Sequence, residues 1–226
     1  MKKFSVALDG PSGAGKSTIA KAVAAKLGLL YVDTGAIYRS VGYAAFTGNI
    51  SPDDADKIEK MLPQLQVKMQ YADDGLQHMY LNGEDITTQI RLPEISMYAS
   101  KVSAIPAVRA FLLEMQRSLA REQSVIMDGR DIGTVVLPNA EVKVFLTADA
   151  KERAKRRFLE LEQRGTPRPY EEVLQEVNER DYNDMHRAIA PLCRAKDAVI
   201  LDTTALNFDE SVEALLRIIQ QKVVDA

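Results

Sequence analysis

Residues 10–18 read GPSGAGKST and residues 127–138 read MDGRDIGTVVLP. Both hold the residue types from which anion chemistry is built. The first is the pattern G-x-x-x-x-G-K-S/T, directly after the apolar run FSVAL (4–8) and opening the helix-like STIAKAVAAKLG. Strand, loop and helix in that order are what the pattern requires. Gly10, Gly13 and Gly15 let the loop, with Pro11, Ser12 and Ala14 among them, curl so that backbone N–H groups point at phosphate oxygens. The helix start adds a favourable dipole, Lys16 reaches the terminal phosphates, and the hydroxyl of Ser17, just before Thr18, can ligate Mg2+. The expected ligand is a nucleoside triphosphate; the plainer alternative is a glycine-rich turn before a lysine. The second stretch sets Asp128, Gly129, Arg130 and Asp131 side by side after Val125-Ile126. Such charges near a core must pair with each other or with a ligand. Open α/β sheets bind ligands at the carboxyl ends of their strands, and that is where Arg130 falls.

The fate of the terminal phosphate narrows the class. A GTPase switch would carry N-K-x-D, which the chain lacks. A small kinase needs an acceptor site instead. An alcohol acceptor would call for a carboxylate base, whereas a nucleoside monophosphate attacks with an oxygen that is already anionic, so arginines matter more than a base. In DTGAIYRS (33–40), Thr34 and Gly35 begin a helix, with Tyr38 and Arg39 one turn in and Arg39 able to reach an anion at that end. A capped helix with a solvent-facing arginine is the alternative. Arg109, alone on an amphipathic helix, reads by itself as a surface residue. Arg153, Arg156 and Arg157 share a helix face, and Arg164 and Arg168 flank RGTPRP (164–169), expected to be a mobile loop. They form either a solvated face with Glu152 and Glu160 or a lid that closes over the triphosphate and excludes water. Arg180, Asp184 and Arg187, at i, i+4 and i+7, form one stripe of one helix. That stripe is either an exposed ion-pair ladder or an aspartate held ionised to accept from a sugar hydroxyl. His78 and His186 lack the neighbours of a metal site.

The elements that must position these residues follow from hydrophobic periodicity. FSVAL, LLYV (29–32), VIM (125–127), VKVFLTA (142–148) and AVIL (198–201) read as short strands buried on both faces. Between them, helical spacing recurs in STIAKAVAAKLG, PAVRAFLLEMQRSLAREQ, DAKERAKRRFLELEQRG and FDESVEALLRIIQQKV. The alternation implies an α/β fold with a parallel sheet under helices on both sides. Residues 65–90 break the rhythm. LQVKMQY alternates like a half-exposed antiparallel strand, and Asp73-Asp74-Gly75 and Asn82-Gly83 supply hairpin turns, so a small antiparallel satellite is inserted.

Composition bounds the rest. A net charge of -3 over 226 residues argues against a nucleic-acid partner. No apolar stretch approaches the roughly 18 residues of a membrane span, and the apolar run that ends at Asp9 is too short for a signal peptide. The one cysteine, Cys193, can form no internal disulfide, which suits the cytoplasm.

DGPSGAGKST, DTGAIYR, ASKVSAIPAVR, DGRDIGTVVLP, ERDYNDMHRAIAP and LDTT follow one another over almost the full length. In these blocks the chain resembles the bacterial-type cytidylate (CMP/dCMP) kinases, nucleoside monophosphate kinases of the P-loop class. The resemblance implies a single P-loop domain over residues 1–226, a three-layer sandwich on a five-stranded parallel sheet. Within it would lie a monophosphate-binding region at 36–98, its antiparallel insert at about 63–92, and a mobile helical lid at 153–170. It implies phosphorylation of CMP and dCMP by ATP with Mg2+, in a monomer whose partners are these small molecules. It gives the phosphate cradle to Gly10 through Thr18, and the lid, closing on ATP, to Arg153, Arg156 and Arg157. Around the acceptor it places Thr34, Tyr38, Arg39, Arg130 and Arg187, with Ser100, Arg109 and Asp131 at the cytosine and Arg180 and Asp184 at the ribose. Lys16, Arg130, Arg157 and Asp128 are the catalytic candidates; Asp128 either orients an arginine or holds a water of the Mg2+ shell. Asp131 would accept from the exocyclic amine of cytosine, where uracil presents a repelled carbonyl, a mismatch of about 1–3 kcal/mol.

Overall fold

The structure, a computed structural model, describes residues 3–71, 77–163 and 165–224. The expected turn at Asp73-Asp74-Gly75 and the side chain of Arg164 lie outside them. The chain divides into two compact units, one of residues 1–31 with 122–226 and one of residues 32–121.

The first unit is organised by short apolar strands. A five-stranded sheet contains β1 (Ser5–Asp9), β2 (Leu30–Asp33, its last two residues counted in the second unit), β6 (Val125–Gly129), β7 (Val142–Thr147) and β8 (Val199–Asp202), in the order β2-β6-β1-β7-β8. β1 runs parallel to both β6 and β7, and β7 parallel to β8. Because side chains alternate along a strand, Val6 and Leu8 share one face with Ile126, Val144 and Leu146, and all of them are buried. Against that face pack Ile19, Ala20 and Val23 of helix α1 (Lys16–Leu27) and Val212, Leu215 and Ile219 of helix α8 (Phe208–Val224). Each buried Val, Leu or Ile among them contributes about 1.5–3 kcal/mol. Ala7, Val125 and Met127 point the other way and are fully buried too. That two-faced burial explains why the strands read as unbroken apolar runs.

The helix ends follow from local chemistry. Gly28 closes α1 in the left-handed conformation, its N–H donating to the Ala24 carbonyl. At the start of α8, Asn207 and Glu210 exchange bonds, each side chain accepting from the other's N–H at 2.9 and 3.0 Å. Helices α6 (Ala150–Gln163) and α7 (Tyr170–His186) pack through Ala154, Val173 and Val177.

In the second unit, β3 (Val67–Tyr71), β4 (Gln77–Leu81) and β5 (Glu84–Asp85) form an antiparallel sheet in that order. Asn82 and Gly83, both at positive φ (51° and 89°), make the tight turn between β4 and β5, as their types predict. The remaining helices of this part of the chain are α2 (Thr34–Thr47), α3 (Ala55–Met61), α4 (Pro93–Val102) and α5 (Pro106–Glu122). Among the described residues, no helix is long and apolar enough to cross a membrane.

Candidate active site

The phosphate loop leaves β1 at Gly10 and bends through Gly13 (φ 73°) and Gly15 (φ 87°), backbone that residues with a Cβ adopt only under strain. Gly15 is the N-cap of α1, so no side chain caps the helix, and its first turn holds no acidic residue. The contrast with α2 is instructive: there Asp33 caps the helix, its carboxylate accepting from the Ala36 N–H at 2.9 Å. Leading amides without a side-chain cap, next to a lysine, are what a bound phosphate satisfies.

Lys16 is buried, and its ammonium donates to the Pro11 carbonyl at 2.7 Å. Burial first, and then the Arg130 guanidinium, lower its pKa to about 7 against the pull of Asp128, Asp184 and Asp9. Asp128, on β6, accepts from the Ser17 hydroxyl at 2.7 Å and from the Tyr31 hydroxyl at 2.9 Å. Of the two roles open to Asp128, these bonds favour the metal side, since the hydroxyl it holds belongs to the expected ligand. A hydroxyl and a carboxylate are hard oxygen donors that suit Mg2+, which takes few protein ligands and fills its shell with water and phosphate. The described residues include no cluster of three or more His, Cys, Asp or Glu fit to hold a metal.

Arg130 follows β6, and its Nε donates to Asp184 Oδ2 at 2.8 Å. Burial would raise the Asp184 pKa, but Arg130, Arg180 and Arg187 outweigh it and hold the carboxyl below its ordinary value. Asp184 is therefore no rung of an exposed ladder. The single-stripe expectation needs a correction, because α7 ends at His186 and Arg187 is extended (φ -62°, ψ 141°). Pro191 disfavours helix at Ala190, which sits at φ 48° and whose carbonyl accepts from Arg187 Nε at 2.6 Å. Released from the helix, the Arg187 guanidinium lies 3.6 Å from the buried Asp131.

The three arginines of α6 do not act as one face. Arg153 is buried and pairs bidentately with Asp181 of α7 at 3.0 and 2.5 Å, while donating to the carbonyls of Ser12 and Ala148 at 2.9 Å each. Arg156 donates to the Thr203 carbonyl at 2.8 Å, and Arg157, half-exposed, to Glu160 at 3.1 Å. Arg168 donates to Glu176 at 2.6 Å.

The second unit carries its own cationic centre. Asp33 Oδ2 accepts from Arg39 at 2.9 Å and from Arg91 at 3.1 Å. Burial would raise the Asp33 pKa, yet the two guanidiniums leave it lowered. Arg39 thus reaches back to the α2 N-terminus, as its spacing allows. Thr34 and Tyr38 are buried beside it in sequence. Arg109 is buried as well, against the expectation for a lone arginine. Its guanidinium stands 5.3 Å from the Tyr38 ring centroid and donates to the Ser103 carbonyl at 3.1 Å. Ser100 is half-buried, its carbonyl accepting from the Ser103 hydroxyl at 2.8 Å.

Sequence reasoning missed Asp9, Tyr31, Asp33, Arg91 and Asp181. An aspartate before Thr-Gly at a helix start is an N-cap signal, so Asp33 was findable. Arg91 and Asp181 meet partners 58 and 28 residues away, which no local pattern reports.

Comparison with known proteins identifies the family. The cytidylate kinase family pattern matches residues 6–221. The chain is 52% identical to a cytidylate kinase of Caldicellulosiruptor bescii, over 99% of this chain and 98% of that protein. It is 48% identical to a cytidylate kinase of Ligilactobacillus salivarius, over 98% and 99%. A crystal structure of an uncharacterized protein from Eubacterium ventriosum shares the fold, with a TM-score of 0.53 at 11% identity over 96% of this chain and 99% of that one. A phosphate loop with an uncapped helix start, guanidinium groups at the strand ends and a family match over almost the whole length converge: the chain belongs to the cytidylate kinase family.

Proposed function

We propose that this enzyme transfers the γ-phosphoryl group of ATP to the 5′-phosphate of CMP and dCMP, working as a cytoplasmic monomer. The observation that carries the reading is the pair of the buried Lys16 and the half-buried Arg130, close enough for the guanidinium to depress the lysine's pKa. Like charges gathered in this way are stabilised by an anionic ligand, and a transferring phosphoryl group with its two oxygen neighbours supplies the charge.

The residues divide the work. The amides of Gly13 through Thr18 and the Lys16 ammonium hold the triphosphate. Ser17 and Asp128 would hold Mg2+, which in this class of reaction neutralises charge on the β- and γ-phosphates. In the first unit Arg130 and Arg187 serve the acceptor phosphate; in the second, Arg39 and Thr34 are phosphate-binding groups. Arg180 and Asp184 hold the sugar, and Asp131 reads the cytosine amine; within the second unit, Arg109, Ser100 and Tyr38 are nucleotide-binding groups. Arg156 and Arg157 approach the ATP phosphates, and Arg153 steadies the loop through Ser12. The attacking phosphate oxygen is ionised near neutral pH, so no protein base is required; alignment and charge neutralisation carry the catalysis.

A coupled assay of ADP release across a panel of nucleoside monophosphates tests this directly. CMP and dCMP should drive release, with UMP and AMP far slower and ATP alone nearly silent. Equal rates with UMP, or release that needs no acceptor, would refute it.

A further inference from the structure

Asp9 has no role in the scheme above, yet its surroundings are sharply defined. It is the last residue of β1 and only 4% exposed. Both carboxylate oxygens engage one backbone turn: Oδ1 accepts from the Ile132 N–H and Oδ2 from the Gly133 N–H, each at 2.7 Å. In that turn the N–H groups of Val135 and Val136 converge on the Asp131 carbonyl at 2.9 and 3.2 Å. A carbon added at Gly133 would stand 3.3 Å from Asp9 Oδ2 and 3.2 Å from Lys143 Cδ, so turn and carboxylate are in direct contact. Arg130 and Asp131 immediately precede the two clamped amides.

We infer that Asp9 is a positioning residue, which fixes the Ile132 and Gly133 amides and thereby sets where Arg130 and Asp131 point toward the acceptor nucleotide. This rests on the roles proposed for Arg130 and Asp131. Two charge-assisted bonds to consecutive amides fix a turn in position and direction, where one bond would leave it free to swing.

The same geometry makes the clamp sensitive to protons. Burial raises the Asp9 pKa to about 6; the two amides and Lys16 oppose the rise, and Asp131 adds to it. Lys143 of β7 also lies against the turn, its ammonium held by Asp197 at 2.8 Å and by the Pro138 carbonyl at 2.6 Å. A protonated carboxyl loses acceptor capacity and gains a donor that faces N–H groups, so one amide bond weakens.

The test begins with wild-type, nucleotide-free enzyme. The amide proton shifts of Ile132 and Gly133, followed by NMR from about pH 5 to 8, should move together through one transition near pH 6. In Asp9→Asn that transition should vanish, and the KM for CMP should rise about tenfold while the KM for ATP stays within about threefold. Amides that stay still across the range, or an Asp9→Asn enzyme whose KM for CMP is within twofold of wild type, would overturn the inference. If Asp9→Asn does not fold, the wild-type titration decides alone. Arg130→Ala separates the two levels. An impaired Arg130→Ala enzyme beside an unimpaired Asp9→Asn enzyme rejects this inference only. An Arg130→Ala enzyme with normal CMP kinetics rejects the acceptor-site reading and this inference with it.

Discussion

Lys16 shows how one side chain couples ligand and proton. Its pKa near 7 in the free enzyme reflects burial and the nearby Arg130, and a bound triphosphate favours the charged form. Between the free and bound values the complex holds more protons than the free enzyme, so ATP affinity should fall as pH rises from about 7 toward 9. Calorimetry at pH 8 in two buffers of different ionisation enthalpy should detect uptake of close to one proton per ATP bound; no uptake would contradict the shift. The reading of Asp131 is equally open to measurement. Asp131→Asn should reduce the preference for CMP over UMP, expressed as a ratio of kcat/KM, by about tenfold or more, because the amide no longer repels the uracil carbonyl. An unchanged ratio would remove Asp131 from base recognition.

Gly10 makes the corresponding case for the strand and loop. At φ 151° a Cβ on Gly10 would lie 1.9 Å from the Leu146 carbonyl oxygen, part of the β7 backbone. The sheet cannot yield at that point, so Gly10→Ala should cost more than about 3 kcal/mol. It should appear as loss of soluble protein or a collapse of the thermal midpoint; a variant that melts within two degrees of wild type would show the loop has room. Such elements were largely legible in advance. Unbroken apolar runs marked strands buried on both faces, three- and four-residue spacing marked α1, α5, α6 and α8, and Asn82-Gly83 marked a hairpin. The end of α7 was not, because Arg187 continues the helical spacing while Pro191, four residues on, decides the backbone. Nor were the partners of Arg153 legible. A guanidinium on a charged helix looks solvated until folding brings Asp181 and the Ser12 carbonyl to it. Local periodicity reports which face is apolar, and long-range pairing of polar groups leaves no such trace.

The perturbed groups together dictate how the folded chain responds to pH. Asp33 and Asp184 have lowered pKa values, so their stabilising contribution is present above the unfolded carboxylate range and is lost as pH falls below it. Asp9 works in the opposite sense. Its folded value of about 6 lies above the model-peptide range, so it adds stability on acidification from about 6 to 4. Lys16, lowered to about 7, relieves a penalty as it loses its proton, adding stability from about pH 7 toward 10. The thermal midpoint of the ligand-free enzyme should therefore pass through a local minimum between about pH 6 and 7, rise to either side, and fall again below about pH 4. Saturating ATP should abolish the alkaline rise by keeping Lys16 charged; a midpoint maximal at neutrality without ligand would contradict these assignments. Cys193, exposed and the only cysteine in the chain, gives a practical means of watching nucleotides bind. It directly follows Leu192, whose N–H donates to the Asp184 carbonyl at 2.8 Å. A thiol-reactive fluorophore would thus attach at one address beside the segment that carries Asp184 and Arg187, turning the unmutated enzyme into its own optical reporter.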